Sequence, residues 1–117
     1  MTAKTVVIEW APFELVAGTA EEVLMQASEV LQKEFLARQP GFIRRELLRG
    51  RDNQWVDLVY WESMEDAVQA AQNAANSPVC YAYFQLMVAA DHDDPAAGVL
   101  HFDQMRSYYP QEFVIAS

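Results

Sequence analysis

The chain has 117 residues, 52% of them hydrophobic and 21% charged, with 17 acidic side chains against 8 basic and a net charge of −9. That length suits one domain with a core of its own, and the composition is globular rather than disordered. Nucleic acid and anionic membranes are excluded as expected partners, because both are bound through basic clusters, and the only one here (Arg44, Arg45, Arg49 and Arg51) is diluted by acidic neighbours.

Lys4 to Phe13 is apolar or β-branched on both alternating sets, Val6, Ile8 and Trp10 on one and Val7 and Ala11 on the other, interrupted by Glu9. Such a run reads as a strand buried on both faces. Thr19-Ala20-Glu21-Glu22 has the form of a capping box, in which the Thr19 hydroxyl and the Glu22 carboxylate each satisfy an orphan amide. A helix is expected to follow, with Leu24, Ala27, Leu31 and Phe35 as its buried stripe and Val23 and Val30 widening it. Pro40-Gly41 ends this segment, since proline removes a donor and glycine permits a reversal.

Phe42 to Gly50 and Trp55 to Glu62 are two extended runs joined at Arg51-Asp52-Asn53-Gln54. With Asp52 and Asn53 as the turn, Leu48 faces Asp57, Glu46 faces Val59 and Arg44 faces Trp61. One face then gathers Leu47, Val56, Leu58 and Tyr60 and is expected to meet the helices. The other mixes Arg44, Glu46 and Asp57 with Trp55, Val59 and Trp61, which suits a subunit interface.

Ser63-Met64-Glu65-Asp66 is a second capping signature, opening a helix through Ala67, Val68, Ala71, Ala74 and Ala75 whose small side chains permit close approach to a sheet. Ser77-Pro78 starts a short helix with Cys80, Tyr83, Phe84 and Met87 on one side. Asp91 to Gly98 reads as a polar loop, Val99 to Tyr108 as the last strand, and Pro110 to Ser117 as a tail with an apolar patch at Phe113, Val114 and Ile115. The whole is an α+β, ferredoxin-like βαββαβ arrangement with a four-stranded antiparallel sheet, expected as a single domain over residues 1–117.

Cys80 is the only cysteine, so no intrachain disulfide is expected and a reducing, cytoplasmic setting is the simplest reading. The apolar run after Lys4 is too short for a signal peptide, and no stretch approaches ~18 uninterrupted apolar residues, so no membrane partner is expected.

Several side chains carry candidate chemistry. Asp57 and Glu9 are carboxylates in otherwise apolar strands. Burial of such a group is costly unless it is paired or protonated, and it can be tuned toward base catalysis; pairing with Arg44 or His101 is the structural alternative. His101, in the set Val99, His101, Asp103 and Met105, reads as a general base oriented by Asp103 or Asp57, or as a hydrogen-bonded strand histidine. Trp61 reads as an aromatic wall for a planar ligand or as core, and Trp10 and Trp55 carry the same two readings. Tyr81, Tyr83, Phe84 and Met87 either line a pocket mouth or close the core. His92 among Asp91, Asp93 and Asp94 lacks the spacing and central glycine of a calcium loop, so no metal is expected there. Cys80 has no basic neighbour in sequence to activate it, and no phosphate loop, zinc pattern or nucleotide fingerprint occurs.

Pro40-Gly41-Phe42 before an Arg-rich strand, Asp52-Asn53, Tyr60-Trp61-Glu62-Ser63 before an Ala-rich helix, and Ser77-Pro78 together resemble the antibiotic biosynthesis monooxygenase-like family over residues 4–108. The resemblance implies a dimeric α+β barrel, two ferredoxin-like sheets face to face, and a pocket between each sheet and its helices. It also implies relatives that include cofactor-free oxygenases of aromatic polyketides, quinol oxygenases and haem-degrading enzymes, beside members of no known activity. The chain departs at Val59, where many members have Glu, and around Ala70, Val79 and Cys80, where many have His.

On this reading the protein is a cofactor-independent monooxygenase acting on an apolar aromatic, polyketide- or quinol-like substrate, without cofactor or metal. Asp57 and His101 are the catalytic candidates; Trp61, Tyr83, Phe84 and Trp10 are the substrate contacts. Its partners are a second copy, through the sheet faces, and a small apolar ligand. The alternative keeps the dimer and its pocket as a non-catalytic binding or structural module.

Overall fold

A computed structural model describes residues 5–89 and 98–110. Strands β1 (Val7–Glu14), β2 (Phe42–Arg49), β3 (Gln54–Trp61) and β4 (Leu100–Asp103) form one antiparallel sheet in the order β2-β3-β1-β4. Helices α1 (Glu21–Glu34), α2 (Met64–Ala74) and α3 (Pro78–Phe84) complete the ferredoxin-like α+β fold, with a 3₁₀ turn at Leu36–Arg38 after α1.

The two serine caps form as their sequences require. Ser63 Oγ accepts the Asp66 amide at 3.1 Å, and Ser77 Oγ accepts the Cys80 amide at 3.2 Å, with Pro78 opening α3. The capping box at Thr19 does not form. Thr19 N–H is already donated to the Val16 carbonyl at 3.1 Å in a turn over Gly18, so α1 begins one residue later with Ala20 as its cap. Glu21 and Glu22 still favour this end, as negative charge in a first turn does. The α1 stripe is narrower than expected. Leu24, Ser28 and Leu31 are buried, whereas Val23 and Val30 face outward. Gly41 has φ +79°, and a Cβ there would run into the Asp66 carboxylate, so the entry to β2 needs glycine.

The β2–β3 hairpin corrects the expected register by one residue. Asp52 and Asn53 both have positive φ and make the turn, closed by Gln54 N–H to the Arg51 carbonyl at 3.0 Å. The next bond runs from Gly50 N–H to the Gln54 carbonyl, which leaves Arg51 as an extra residue on the β2 side. Leu47 rather than Leu48 therefore opposes Asp57, and Arg45 rather than Glu46 opposes Val59.

A one-residue slip exchanges the faces of a strand. Trp55, Asp57, Val59 and Trp61 are buried and look toward the helices, together with Arg45 and Leu47 from β2 and Val7 and Phe13 from β1. Val56, Leu58 and Tyr60 are half-buried on the far face, so for β3 the assignment of helix side and interface side is the reverse of the one expected, whereas on β2 Leu47 meets the helix side and Arg44 and Glu46 the far face, as expected. The inward placement of the charged residues holds because the slip delivers Arg45 to Asp57. β1 is deeply buried only on its inner set, and Trp10 is exposed on the outer face. The last strand is shorter than expected, ending at Asp103.

Candidate active site

A cavity of about 500 Å³ lies between the inner sheet face and the helices. Its origin is the composition of α2 and the residue after it. Ala70, Ala71, Ala74 and Ala75 border it, and methyl groups do not fill the space that larger side chains would. Leu31, Phe35 and Leu36 contribute apolar wall from the α1 end, and Phe13, Val59 and Trp61 from the sheet. Polar groups enter through the sheet. Arg45, Val59, Glu9 and His101 occupy one rung across β2, β3, β1 and β4, all on the inner face.

At one end of this rung Arg45 and Asp57 form a buried pair, Nε donating to Oδ1 at 2.8 Å with side chains 5% and 10% exposed. Arg45 also donates from Nη1 to the Ser28 carbonyl at 3.2 Å and from Nη2 to the Tyr83 hydroxyl at 3.0 Å. Tyr83 in turn donates its O–H to Asp57 Oδ2 at 2.7 Å, so both carboxylate oxygens are engaged. Burial, with the Asp57 charge beside it, pushes the Tyr83 phenol far above its ordinary value, and it stays protonated.

At the other end Glu9 Oε1 accepts the Trp61 indole N–H at 3.1 Å and lies 3.6 Å from His101 Nε2. Burial raises the Glu9 carboxyl above its ordinary value; His101 and the indole hydrogen bond act in the opposite direction without cancelling it. Cys80, also on the wall, has its thiol pushed up by burial and is held as a neutral, inert group.

Asp57, His101, Trp61, Tyr83 and Phe84 all border the cavity, Phe84 at its exposed edge. Trp10 does not; strand alternation puts it on the outer face, 38% exposed. Trp55 is core, stacked on Phe13 at 6.5 Å, and Tyr81 is solvent-exposed. The partner of Asp57 is Arg45, not Arg44, which instead lies over the Tyr60 ring at 4.1 Å on the outer face. His101 meets Glu9, a pairing expected as the structural alternative, and not Asp103 or Asp57. The acidic loop at Asp91, His92, Asp93 and Asp94 lies outside the described residues, and among those described no three His, Cys, Asp or Glu gather as a metal set.

Arg45 is the cavity residue that sequence reasoning missed, because a register without the one-residue bulge puts Arg44 in its place. Glu9 and His101 carry a usable signal. Each is the polar member of an inward alternating set, and β1 and β4 are neighbours in this topology.

No protein-family model matches the chain, and no curated protein sequence does. Solved structures do match. SnoaB, a cofactor-independent oxygenase from Streptomyces nogalater, is 24% identical, with 91% of this chain and 98% of that one covered at a TM-score of 0.65. A putative antibiotic biosynthesis monooxygenase from Bordetella bronchiseptica is 14% identical, with coverages of 89% and 99% and a TM-score of 0.63. A mutant of MhuD with two manganese protoporphyrin IX bound per active site is 18% identical, with coverages of 88% and 98% and a TM-score of 0.60. The shared property at these identities is the fold.

Proposed function

Starting from the fold of antibiotic biosynthesis monooxygenase-like proteins, we propose that this chain is a cofactor-independent oxygenase of an apolar aromatic substrate, acting as a homodimer joined by its outer sheet faces. The observation that carries the reading is the His101–Glu9 pair on the wall of an apolar cavity. It provides a proton acceptor, oriented by a carboxylate, in a space of the size that small-molecule sites occupy.

In this reading the aromatic substrate lies against Trp61, and His101 takes its acidic proton. The resulting carbanion reduces dioxygen. In the oxidation of a ring methylene to a carbonyl, one oxygen atom enters the product and the other leaves as water. The chain contributes orientation, proton transfer and exclusion of water. Asp57 is the second candidate base, reaching the cavity beside Tyr83.

Dissolved-oxygen uptake by chelator-treated protein against anthrones, naphthols and quinols tests this. Saturable uptake is expected, and His101→Ala should lower kcat by about 10²–10⁴-fold in a folded protein. Asp57→Asn should destabilise the fold by about 3–5 kcal/mol, because Arg45 would be left buried without its counter-charge. A folded Asp57→Asn variant that loses turnover while His101→Ala keeps it would move the base to Asp57. No uptake across the panel would defeat the oxygenase reading and leave a binding module of the same fold.

A further inference from the structure

The cavity takes one wall from the shortest strand of the sheet. β4 has four residues, lies at the sheet edge and pairs with β1 alone, with one further bond from Gln104 N–H to the Val6 carbonyl at 2.8 Å. Val99, just before it, and His101, within it, both border the cavity. The polar tie on this inner side, His101 Nε2 to Glu9 Oε1, is 3.6 Å long. The apolar side chains of the strand point the other way. Leu100 and Phe102 lie on the outer face, 42% and 53% exposed. Burial of apolar area is the main force that offsets the entropy of ordering a strand, and in a single chain β4 leaves much of its own unrealised.

The outer face is built to meet a copy of itself. Two rungs cross it, one from Arg44 to Phe102 and the next from Glu46 to Leu100, each apolar or aromatic between its ends. Each starts from one charge on β2, and the two charges are opposite, so this part of the face is neutral on a chain of net charge −9. A second copy meets it without like-charge repulsion, and opposite charges side by side are self-complementary about a two-fold axis. The inner rung lying between these two carries Glu9 and His101.

We infer that the second copy completes the cavity: its packing on Leu100 and Phe102 seats β4, and with it Val99 and His101, so that dimerisation and ligand binding are coupled. The inference rests on the cavity and the outer-face homodimer of the proposed function.

A ligand against Val99 and His101 gains those contacts only while β4 is in place. A partner on Leu100 and Phe102 gains its contacts only then as well. Both favour the same seated state, and by linkage each strengthens the other by one common factor. A coupling of ordinary size is about 5- to 150-fold in ligand affinity per protomer. With both cavities filled, the dimer dissociation constant falls by the square of that factor. The cavity of a monomer still binds, only more weakly.

Leu58→Glu sets a carboxylate into the outer face of β3, with β1 between it and β4, and so separates the dimer without touching that strand. Amide hydrogen exchange reads the seating of β4 directly. Gln104 N–H should exchange at least about fivefold faster in this monomer than in the native dimer. Leu15 and Glu62 N–H, bonded at 2.8 Å to the Asn53 and Gly41 carbonyls away from β4, should keep their native rates. Anaerobic calorimetry with α-naphthol should show affinity in the variant lowered by at least about fivefold. Sedimentation of the native protein should show α-naphthol tightening the dimer. Native Gln104 exchange and native α-naphthol affinity in a folded Leu58→Glu monomer would overturn the coupling and leave the dimer standing. A native dimer that binds α-naphthol without being tightened would do the same, and that measurement decides should the variant fail to fold. Should α-naphthol not bind, the exchange rates decide. A native protein that sediments as a monomer, or a Leu58→Glu variant that stays dimeric, would defeat the outer-face dimer and the coupling with it.

Discussion

Glu9 and Asp57 are both carboxylates on the inner sheet face, and their partners give them different consequences. Asp57 has a guanidinium and a phenol on its two oxygens. Glu9 has an indole N–H at 3.1 Å and an imidazole at 3.6 Å, and burial still holds its carboxyl above the ordinary 4.5, with the Asp57 charge pushing the same way. The sign of the linkage follows from the direction of the shift. Above pH 4.5 the unfolded chain loses this proton first, while the folded chain keeps it until the raised value is passed. The folded state therefore binds more protons in that window, and stability falls as pH rises through it. Glu9→Gln removes the titration but keeps an acceptor for Trp61. Urea denaturation from pH ~4 to pH ~7 should show the stability difference, variant minus native, growing more positive with pH. A difference that stays flat or falls would mean that His101 compensates Glu9 fully in the folded state.

At the level of elements, α2 makes the cavity by what it lacks. Ala74 is half-buried and borders the open volume, so Ala74→Leu should project into space already present rather than displace packed atoms. The expected stability change is below about 1.5 kcal/mol, with ligand affinity lowered at least tenfold, both readable by calorimetry. A large destabilisation with affinity retained would place the ligand elsewhere.

The same elements show what local sequence can and cannot specify. Ser63 and Ser77 cap amides three residues ahead, so their chemistry is contained in four-residue windows and legible there. The Thr19 box fails because a competing turn from Val16 consumes the Thr19 amide. Alternation along β3 separates Trp55, Asp57, Val59 and Trp61 from Val56, Leu58 and Tyr60, but does not say which set meets the helices. Two like-sized sets differ in fate through the partners each acquires, and the bulge at Arg51 decides that by turning Arg45 inward. The candidate site was legible to the same extent. Trp61, Tyr83 and His101 reach the cavity by parity on their own elements, whereas Arg45 depends on a backbone irregularity that residue types do not announce.

For the molecule as a whole, the outer sheet face is the open question of burial. Ile8, Trp10, Leu58, Tyr60, Leu100 and Phe102 share it, through the pairs Ile8–Tyr60, Trp10–Leu58, Ile8–Phe102 and Trp10–Leu100. Trp10, Leu100 and Phe102 are 38%, 42% and 53% exposed. Soluble monomers rarely expose a contiguous apolar patch beyond a few hundred Å², and this one spans three neighbouring strands. Arg44 over Tyr60 and Glu46, 3.7 Å from Arg44, supply charge at its β2 edge, the polar rim that surrounds an apolar interface core. A second copy applied through the same face buries both patches at once, as a two-fold interface does. Light scattering at micromolar concentration should therefore give twice the 13.3 kDa chain mass. Phe102→Glu lies outside the inner core, so it should fold normally, yet it would set two carboxylates into the apolar centre of the pair. A shift of that variant to monomer, with the cavity still binding ligand, is the expected result. A native protein that runs as a monomer would leave the patch exposed and defeat the sheet-to-sheet dimer.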